Sequence, residues 1–258
     1  MSIGTVVVTG AAGQVGGVVR EALRGRAEQL VLVDRRELTA RAANERVRQA
    51  ELDSPEAVAA LVEGADAIVH LAGVPDEAPL PDLLEGNVLG THHVLEAARR
   101  TGVRRVVLAS SNRLTGCYPA AREVSPELPP RPDGLYGVSK VAVEALGRLY
   151  ADKFGLEVLC LRIGSLESEP TEERHLSTWL SPRDCGGFFL DALTRKDVTF
   201  LALYAVSANT RRFWRLSDGY QPQDDAERYA GRIPQTGGLD LQGGDFASPA
   251  YTLRHLSS

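Results

Sequence analysis

The chain has 258 residues, of which 43% are hydrophobic and 24% charged, and its formal net charge is −5. This length and composition predict one large α/β domain, or such a domain with a small appendage. The negative charge argues against nucleic-acid and membrane partners, because no basic field would hold phosphates. Three dispersed cysteines without a CxxC pair, no signal-peptide pattern and no long apolar run predict a cytoplasmic protein.

Short apolar runs alternate along the chain with helical stretches. The runs predicted as buried strands are 5–9, 30–33, 67–71, 105–109, 157–161 and 200–204, with a weaker edge candidate at 46–51. The helical windows are 14–24, 55–62, 83–100 and 135–153, and no helical period is visible in 237–258. Continuous apolar strands are expected where helices cover both faces of a sheet. The alternation therefore predicts an α/β fold with a doubly wound, mainly parallel sheet of Rossmann type.

A glycine-rich turn, TGAAGQVG, separates the first strand from the first helix and contains Gly10, Gly13 and Gly16. Such glycines permit a tight turn and let the backbone approach a pyrophosphate at the helix amino terminus. The triplet alone is weak evidence, because any α/β turn can require glycine. Asp34 ends the second strand, where a carboxylate would bind the adenosine ribose and repel a 2′-phosphate. NAD is therefore favoured over NADP, although the two arginines after Asp34 keep NADP open.

Tyr136 and Lys140, in LYGVSK, are four residues apart and share one face of a predicted helix. A phenol titrates near ~10, and a neighbouring cation favours its phenolate, so Tyr136 is the predicted proton acceptor. Ser111 follows the fifth strand in VVLASSN, where its hydroxyl can hydrogen-bond the reacting oxygen. Asn87 lies in the third helical window, either in a proton relay to Lys140 or as a core polar group.

Other polar positions near strand ends have competing interpretations. His70, in HLAG, is expected to be a packed core histidine rather than a catalyst. Glu51 and Leu52 follow the third strand and either meet an adenine ring or form a solvated strand end. The five histidines include no HExxH motif and no His/Cys cluster, so no metal site is predicted.

The motifs together resemble those of a known superfamily. TGAAGQVG, Asp34, HLAG, Asn87, LASSN and YGVSK resemble the extended short-chain dehydrogenase/reductase superfamily over residues 1–165. SSNRLTGCYP, RPDGLYGVSK, LRIGS and HLSTW are more specific and resemble the uronate dehydrogenase family over most of the chain. That resemblance implies NAD-dependent oxidation of C1 of a hexuronic acid, glucuronate or galacturonate, to an aldarolactone. The implied catalytic residues are Ser111, Tyr136, Lys140 and Asn87.

The resemblance also implies two sets of binding residues. The cofactor set is Gly10, Gly13, Gln14, Val15, Gly16, Asp34, Arg35, Glu51, Leu52, Leu71, Ala72, Gly73, Tyr136, Lys140 and Ile163. The sugar set is Ser111, Asn112, Arg113, Tyr136, Ser165 and Arg174. In these sets Lys140 would contact the nicotinamide ribose, and Arg174 would clamp the substrate carboxylate. Arg113 stands where the family usually has histidine, and Pro75 where it usually has serine, so both positions bear on the preferred uronate.

We expect residues 1–165 to form the NAD-binding core, including the tyrosine–lysine helix. Residues 166–258 are expected to form a small substrate-binding or lid region that packs on the core of a homo-oligomer. Two other functions stay open. A sugar or sugar-nucleotide epimerase or dehydratase shares this fold, but Asn112 and Arg113 stand where a dehydratase carries an acidic pair. A non-catalytic dinucleotide sensor has no physical need for the serine, tyrosine and lysine together.

Overall fold

A central parallel sheet organises the computed structural model, which describes residues 3–234 and 236–256. Its strands are β1 Ile3–Thr9, β2 Ala27–Asp34, β3 Glu45–Gln49, β4 Ala67–His70, β5 Arg105–Ser111, β6 Glu157–Ile163 and β9 Phe200–Ala205. The seven strands follow the order β3-β2-β1-β4-β5-β6-β9, and all neighbours are parallel. A separate two-stranded ribbon pairs β7 Ser165–Leu166 with β8 Trp179–Leu180. The predicted Rossmann-type sheet and the edge position of β3 are confirmed.

Helices cover both faces of this sheet. They are α1 Gln14–Leu23, α2 Pro55–Val62, α3 Leu80–Leu83, α4 Gly90–Thr101, α5 Leu135–Phe154, α6 His175–Thr178, α7 Pro182–Thr194 and α8 Pro249–Leu256. The helical window predicted at 83–100 consists of α3 and α4 joined by a π-helical turn, Leu84–Leu89, which contains Asn87. The expectation of no helix in the last residues was wrong, because α8 forms there; none of its residues is buried.

Two apolar layers explain why the strands are continuously hydrophobic. On one face α1 and α7 pack on the sheet through side chains such as Val19, Leu23 and Phe189. On the other face α2, α4 and α5 contribute Val58, Val94 and Val143 among others. The strand order reverses at β1, with β2 on one side and β4 on the other. A crevice outside the carboxyl ends of the strands is expected at such a reversal.

The last third of the chain contributes both to the sheet and to its carboxyl edge. Strand β9 pairs with β6, and α7 packs against α1, so these two elements lie within the core architecture although they follow residue 165. The β7–β8 ribbon, α6 and the 3₁₀ turn Ala226–Arg232 form a further small cluster. The division into a cofactor core and a substrate region stays a prediction. Within residues 3–234 and 236–256, no helix combines the length and apolarity that a bilayer crossing requires.

Candidate active site

The turn between β1 and α1 requires glycine at two positions. Gly10 has φ +69°, and a Cβ there would lie 2.6 Å from the Ala72 nitrogen. A Cβ on Gly16 would lie 2.6 Å from the Gly10 carbonyl oxygen. Among the described residues no side chain caps α1, and its first turn has no acidic residue. Its first N–H groups therefore face the edge of the sheet uncompensated, an arrangement that fits the pyrophosphate of a dinucleotide.

Asp34 places a negative charge beside this turn. Its Oδ2 accepts a hydrogen bond from the Ala12 N–H at 2.9 Å, and its Oδ1 accepts one from the Arg36 N–H at 2.9 Å. Burial opposes ionisation, but the hydrogen bonds from Arg36 and Ala12 outweigh it and hold the pKa of Asp34 below its ordinary value. The Arg36 Nε lies 3.4 Å from the same carboxylate on an exposed side chain. Asp34 is therefore an ionised acceptor where a ribose is expected.

The other predicted cofactor residues lie at the start of α1, at the carboxyl ends of strands or in the turns that follow the strands. They are Gln14, Val15, Arg35, Glu51, Leu52, Leu71, Ala72, Gly73 and Ile163. Leu71 donates its N–H to the Thr9 carbonyl at 3.1 Å, which carries the β1–β4 pairing into this turn. The Leu52 carbonyl hydrogen-bonds the His93 ring, while Glu51 is exposed. Their contacts with a cofactor stay predictions.

Tyr136, Lys140 and Ser111 meet where α5 crosses the end of β5. Ser111 lies beside Tyr136, close enough for its hydroxyl to act on the pKa of the phenol. The Lys140 Nζ donates to the Ala109 carbonyl at 3.1 Å and lies 5.6 Å from the centroid of the Tyr136 ring. All three side chains are buried. The structure therefore brings together the three groups that the motifs predicted to act together.

The pKa of Tyr136 differs from the sequence-based expectation. Burial is the largest influence and raises it to about 12, while the Ser111 side chain and the charge of Arg113 act in the opposite direction. Burial also lowers the pKa of Lys140 to about 8. Both shifts have one cause, since removal from water disfavours the charged form of each group. Desolvation therefore moves the pKa of Tyr136 in the direction opposite to the one expected from Lys140.

Asn87 is buried in the π-helical turn and joins two segments of the site. Its Oδ1 accepts the Val74 N–H at 2.8 Å, and its Nδ2 donates to the Ser139 hydroxyl at 2.9 Å. These bonds tie the loop after β4 to α5, one residue before Lys140. They favour the interpretation of Asn87 as a core polar group that positions α5, and its part in a proton relay stays a prediction.

His70 behaves as a packed histidine at the end of β4. Its Nδ1 and the Thr9 hydroxyl are 2.7 Å apart in the interior. Burial lowers its pKa to about 3, so the ring is neutral at physiological pH. No charged role in catalysis follows from this environment.

Arg174 is a buried cation at the start of α6. Its Nη1 donates to the Ser165 hydroxyl and its Nε to the Gln242 carbonyl, both at 3.2 Å. The guanidinium also lies over the Phe246 ring, 5.1 Å from the centroid. Burial lowers the pKa of Arg174. Within the described residues it forms no ion pair, although buried guanidinium groups are usually paired with carboxylates.

The acidic neighbours of Arg174 in the sequence are engaged elsewhere. Glu172 pairs with the His175 ring at 3.3 Å, and Glu173 accepts hydrogen bonds from Thr236 and from the Gly238 N–H. The alternative of a solvated loop arginine paired with Glu172 or Glu173 is therefore wrong. Arg174 therefore forms no ion pair with either glutamate, although the charges of Asp133 and Glu172 favour its charged form.

Arg113, which the family resemblance places in the sugar site, has a different environment. Its Nε donates to Asp133 at 2.8 Å, its Nη1 to Asp76 at 2.6 Å and its Nη2 to Glu77 at 3.0 Å. The preceding residue, Asn112, is buried, and its Nδ2 has no hydrogen-bond partner among the described residues. Asn112 is thus placed to donate to a ligand, whereas the nitrogens of Arg113 already donate to the protein.

Several residues of the site were not predicted from the sequence. Asp133 lies inside the motif RPDGLYGVSK, so a signal for it existed. Asp76 and Glu77 follow β4 in a loop without a motif, and their proximity to Arg113 depends on the fold. Phe246 comes from the 3₁₀ turn Gly244–Ala247, far along the chain in a segment with no recognisable pattern.

The glycine turn, the ionised acid after β2 and the Ser–Tyr–Lys group define a Rossmann-type dehydrogenase of the short-chain class. A family model described as "NAD dependent epimerase/dehydratase family" matches residues 6–183. A uronate dehydrogenase of Agrobacterium fabrum is 43% identical over 90% of this chain and 89% of that protein. An L-arabinose 1-dehydrogenase (NAD(P)(+)) of Haloferax volcanii is 36% identical over 86% of this chain and 97% of that protein.

A solved structure gives the same result. A tyrosine-to-alanine mutant of the uronate dehydrogenase from Agrobacterium tumefaciens, complexed with NAD, superposes with a TM-score of 0.90. It is 40% identical, and the match covers 95% of this chain and 97% of that one. The chain therefore belongs to the NAD dependent epimerase/dehydratase family and, within it, to the uronate dehydrogenases. The family resemblance read from the motifs is confirmed.

Proposed function

We propose that this chain catalyses the NAD-dependent oxidation of C1 of a hexuronic acid, glucuronate and/or galacturonate, to the aldarolactone. The observation that carries the proposal is Arg174, a buried arginine with no ion pair among the described residues. Phe246 contacts both Arg174 and Arg113, and Arg113 lies 5.3 Å from the Tyr136 ring centroid. An anion on Arg174 would therefore lie near the proton-transfer group. A carboxylate matches the forked guanidinium in charge and geometry.

The reaction requires a hydride to leave C1 and a proton to leave the anomeric hydroxyl. When bound, NAD supplies the hydride acceptor. As the phenolate, which Lys140 stabilises, Tyr136 takes the hydroxyl proton and becomes the neutral phenol, while Ser111 beside it orients the sugar oxygen. The C1–O bond becomes a carbonyl, so the ring form of the sugar yields a lactone. Hydrolysis of this lactone does not need the enzyme.

The acid beside the glycine turn supports NAD rather than NADP. Asp34 is ionised because two backbone N–H groups donate to its carboxylate. A 2′-phosphate would be repelled by that charge, while ribose hydroxyls can donate to it. The exposed side chain of Arg36 forms an ion pair with the same carboxylate.

Substrate preference within the family is decided at the sugar site. The Haloferax volcanii relative is named for a neutral pentose, so membership of the family alone does not require an acidic sugar. A neutral sugar would leave the charge of Arg174 without an anion, which is costly for a buried guanidinium.

An epimerase or dehydratase would return its hydride, so accumulation of free NADH supports the dehydrogenase and its absence contradicts it.

The experiment compares galacturonate with galactose, and glucuronate with glucose, in the wild type and in Arg174→Gln. We expect kcat/KM for the acids to fall by ~30- to 1,000-fold, the equivalent of ~2–4 kcal/mol for a lost charge-assisted contact. The neutral sugars should be poor substrates of both proteins and lose little. Arg148→Gln, which removes an exposed arginine paired with Asp152, is the matched control and should change neither value.

Equal losses on the acid and the neutral sugar would give Arg174 a structural role. A wild type that oxidises galactose as well as galacturonate would contradict the uronate assignment. Arg174→Lys separates charge from geometry, because lysine keeps the charge but cannot bind a carboxylate through two parallel bonds. We expect it to recover only part of the loss.

We also propose a cytoplasmic homo-oligomer. Three free cysteines, Cys117, Cys160 and Cys185, are compatible with a reducing compartment. Light scattering after size-exclusion chromatography tests the oligomeric state, and cell fractionation tests the location. A monomeric mass would overturn the proposed homo-oligomer.

A further inference from the structure

Arg113 is the centre of a buried group of charges, the Arg113 cluster, formed by Arg113, Asp76, Glu77 and Asp133. Each guanidinium nitrogen donates to a different carboxylate, at 2.8 Å for Asp133, 2.6 Å for Asp76 and 3.0 Å for Glu77. Phe246 lies on the guanidinium at 4.4 Å from its ring centroid. Burial opposes the charge of Arg113, but the three carboxylates outweigh it and raise its pKa. Arg113 is therefore a fixed positive charge, largely removed from water.

This charge lies against the proposed proton acceptor. The Arg113 guanidinium carbon is 5.3 Å from the centroid of the Tyr136 ring. Glu77 also binds the start of α5, where its Oε1 accepts the Leu135 N–H at 2.6 Å and its Oε2 accepts the Tyr136 N–H at 3.3 Å. The same carboxylate thus holds both Arg113 and the backbone of Tyr136. The cluster fixes the phenol in position and sets the charge around it.

The charged groups that face Tyr136 come from several elements. Lys140 lies on the same helix, Arg113 in the turn after β5, Asp76 and Glu77 in the loop after β4, and Asp133 just before α5. The charge of Arg113 acts to lower the pKa of Tyr136, whereas Asp76 and Asp133 act to raise it. Arg113 is at a distance comparable with that of Lys140, 5.3 Å against 5.6 Å from the ring centroid. In a buried site, charges at such distances interact strongly.

Asp76 differs from the other two carboxylates in its exposure. Its side chain is 60% exposed, while the side chains of Glu77 and Asp133 are fully buried. Its Oδ1 also accepts the Glu77 N–H at 2.7 Å and the Tyr251 hydroxyl at 3.3 Å. An asparagine would keep a carbonyl oxygen for these donors. Asp76 can therefore be neutralised without leaving an unpaired charge in the interior.

We propose that Arg113 is an electrostatic support for Tyr136: Arg113 supplies a second positive charge beside the phenol, and the carboxylates Asp76 and Asp133 of its cluster limit the effect. Arg113 is then a positioning residue, and no contact between it and the sugar is needed. The proposal rests on the proposed function in one respect, that Tyr136 is the proton acceptor. It goes beyond that function by assigning the pH range of activity to a cluster outside the Ser–Tyr–Lys group.

The test is Asp76→Asn, which removes one of these limiting charges and keeps the hydrogen-bond geometry. The limb on which kcat for sugar oxidation rises with pH reports the apparent pKa of the Tyr136–Lys140 pair. We expect this limb to move to lower pH by a few tenths of a unit, and by more at low ionic strength. At pH values below this limb the kcat of the variant should exceed that of the wild type, and at pH values above it the two should be equal. Damage to the fold would slow the enzyme at every pH.

Asp152→Asn is the matched control. It makes the same change of charge and also releases an arginine, Arg148, but lies sixteen residues from Tyr136 on α5, or roughly 24 Å at 1.5 Å per residue. We expect it to leave the limb unchanged. If Asp76→Asn leaves the limb in place, moves it to higher pH, or moves it no further than Asp152→Asn does, the proposal is overturned.

A second measurement does not depend on turnover. Ring-labelled tyrosine gives one Cζ resonance per tyrosine in nuclear magnetic resonance, and Tyr136→Phe assigns the signal of Tyr136. Titration of the NAD-bound protein without sugar should show this signal shifting at lower pH in Asp76→Asn than in the wild type. This result would stand even if uronates proved not to be the substrates, so the two proposals can fail separately. An unchanged titration would overturn the cluster's role.

Discussion

The cofactor half of the site and the sugar half are built in different ways. In the cofactor half, Gly10, Gly16 and Asp34 lie within the first β-α-β unit, and main-chain geometry decides their positions. In the sugar half, Arg174 is held by residues 9 and 68 positions away, Ser165 and Gln242. The first half is specified by local sequence and the second by long-range packing. Substitutions should therefore have separable effects on the dinucleotide and on the sugar.

The largest expected effect falls between the two halves, at Tyr136. Tyr136→Phe should lower kcat by ~10²-fold or more, because it removes the proton acceptor, while NAD affinity stays nearly unchanged. The measurements are kcat by NADH formation and the NAD dissociation constant by calorimetry. Tyr150→Phe is the matched control, since it deletes another phenol of α5, which meets Glu96 at 3.2 Å outside the site. A Tyr136→Phe enzyme with most of the wild-type rate would refute this role.

A smaller effect is expected from Asp34→Ser, which changes only the cofactor half. The substitution removes the charge that repels a 2′-phosphate and releases Arg36 from its contact with that carboxylate. We expect the ratio of kcat/KM for NAD to that for NADP to fall by about tenfold or more, the equivalent of at least ~1.4 kcal/mol. Selectivity for galacturonate over galactose should not change. Adding Arg36→Ala to Asp34→Ser should reverse the gain with NADP, and failure to do so would exclude Arg36 as the phosphate ligand.

The smallest effect concerns the stability of the cofactor half. The buried pair Arg20–Glu45 joins α1 to β3, with Nη2 and Oε2 2.5 Å apart. The hydrogen bond from Arg20 is the main cause that lowers the pKa of Glu45 to about 2. Because the pKa of Glu45 is lower in the folded state, its ionisation stabilises the fold at pH values above the unfolded-state pKa, ~4.3 for glutamate. This contribution is lost as the pH falls towards 2.

We therefore expect the free energy of unfolding in urea to fall by on the order of 1–2 kcal/mol more between pH 5 and pH 3 in the wild type than in Glu45→Gln. Glutamine cannot ionise, so its protein lacks this part of the pH dependence although it is less stable throughout. Identical slopes in the two proteins would show that Glu45 is not responsible. Activity with the sugar is not involved in this measurement, which isolates the cofactor half.

Much of the fold was predictable because its signals are local. The apolar runs at 5–9, 30–33, 67–71, 105–109, 157–161 and 200–204 lie in β1, β2, β4, β5, β6 and β9, with the predicted end of the third run one residue beyond β4. Each run is buried on both faces, so a short window of sequence suffices to identify it. Helix α8 was missed because it is only eight residues long, follows a glycine-containing segment and buries none of its residues.

The two arginines show where prediction from the sequence ends. Arg113 follows β5 and Arg174 lies at the start of α6, and the family resemblance gave both a place in the sugar site. In the fold, three carboxylates bind Arg113. Within the part of the chain that is described, no carboxylate forms an ion pair with Arg174. The ion-pair partners of a buried charge are often distant in sequence, so local motifs do not identify them.

The sequence by itself determined the parallel sheet, the glycine turn, the acid after β2 and the tyrosine–lysine spacing, because periodicity and short motifs fix each of these locally. The tertiary structure decided the environment of each group. It buries Tyr136 and Lys140 together, so that desolvation moves their pKa values in opposite directions. It also brings Asp76 and Phe246 to Arg113 from distant segments of the chain. Charges interact through space, so their effect depends on the folded arrangement.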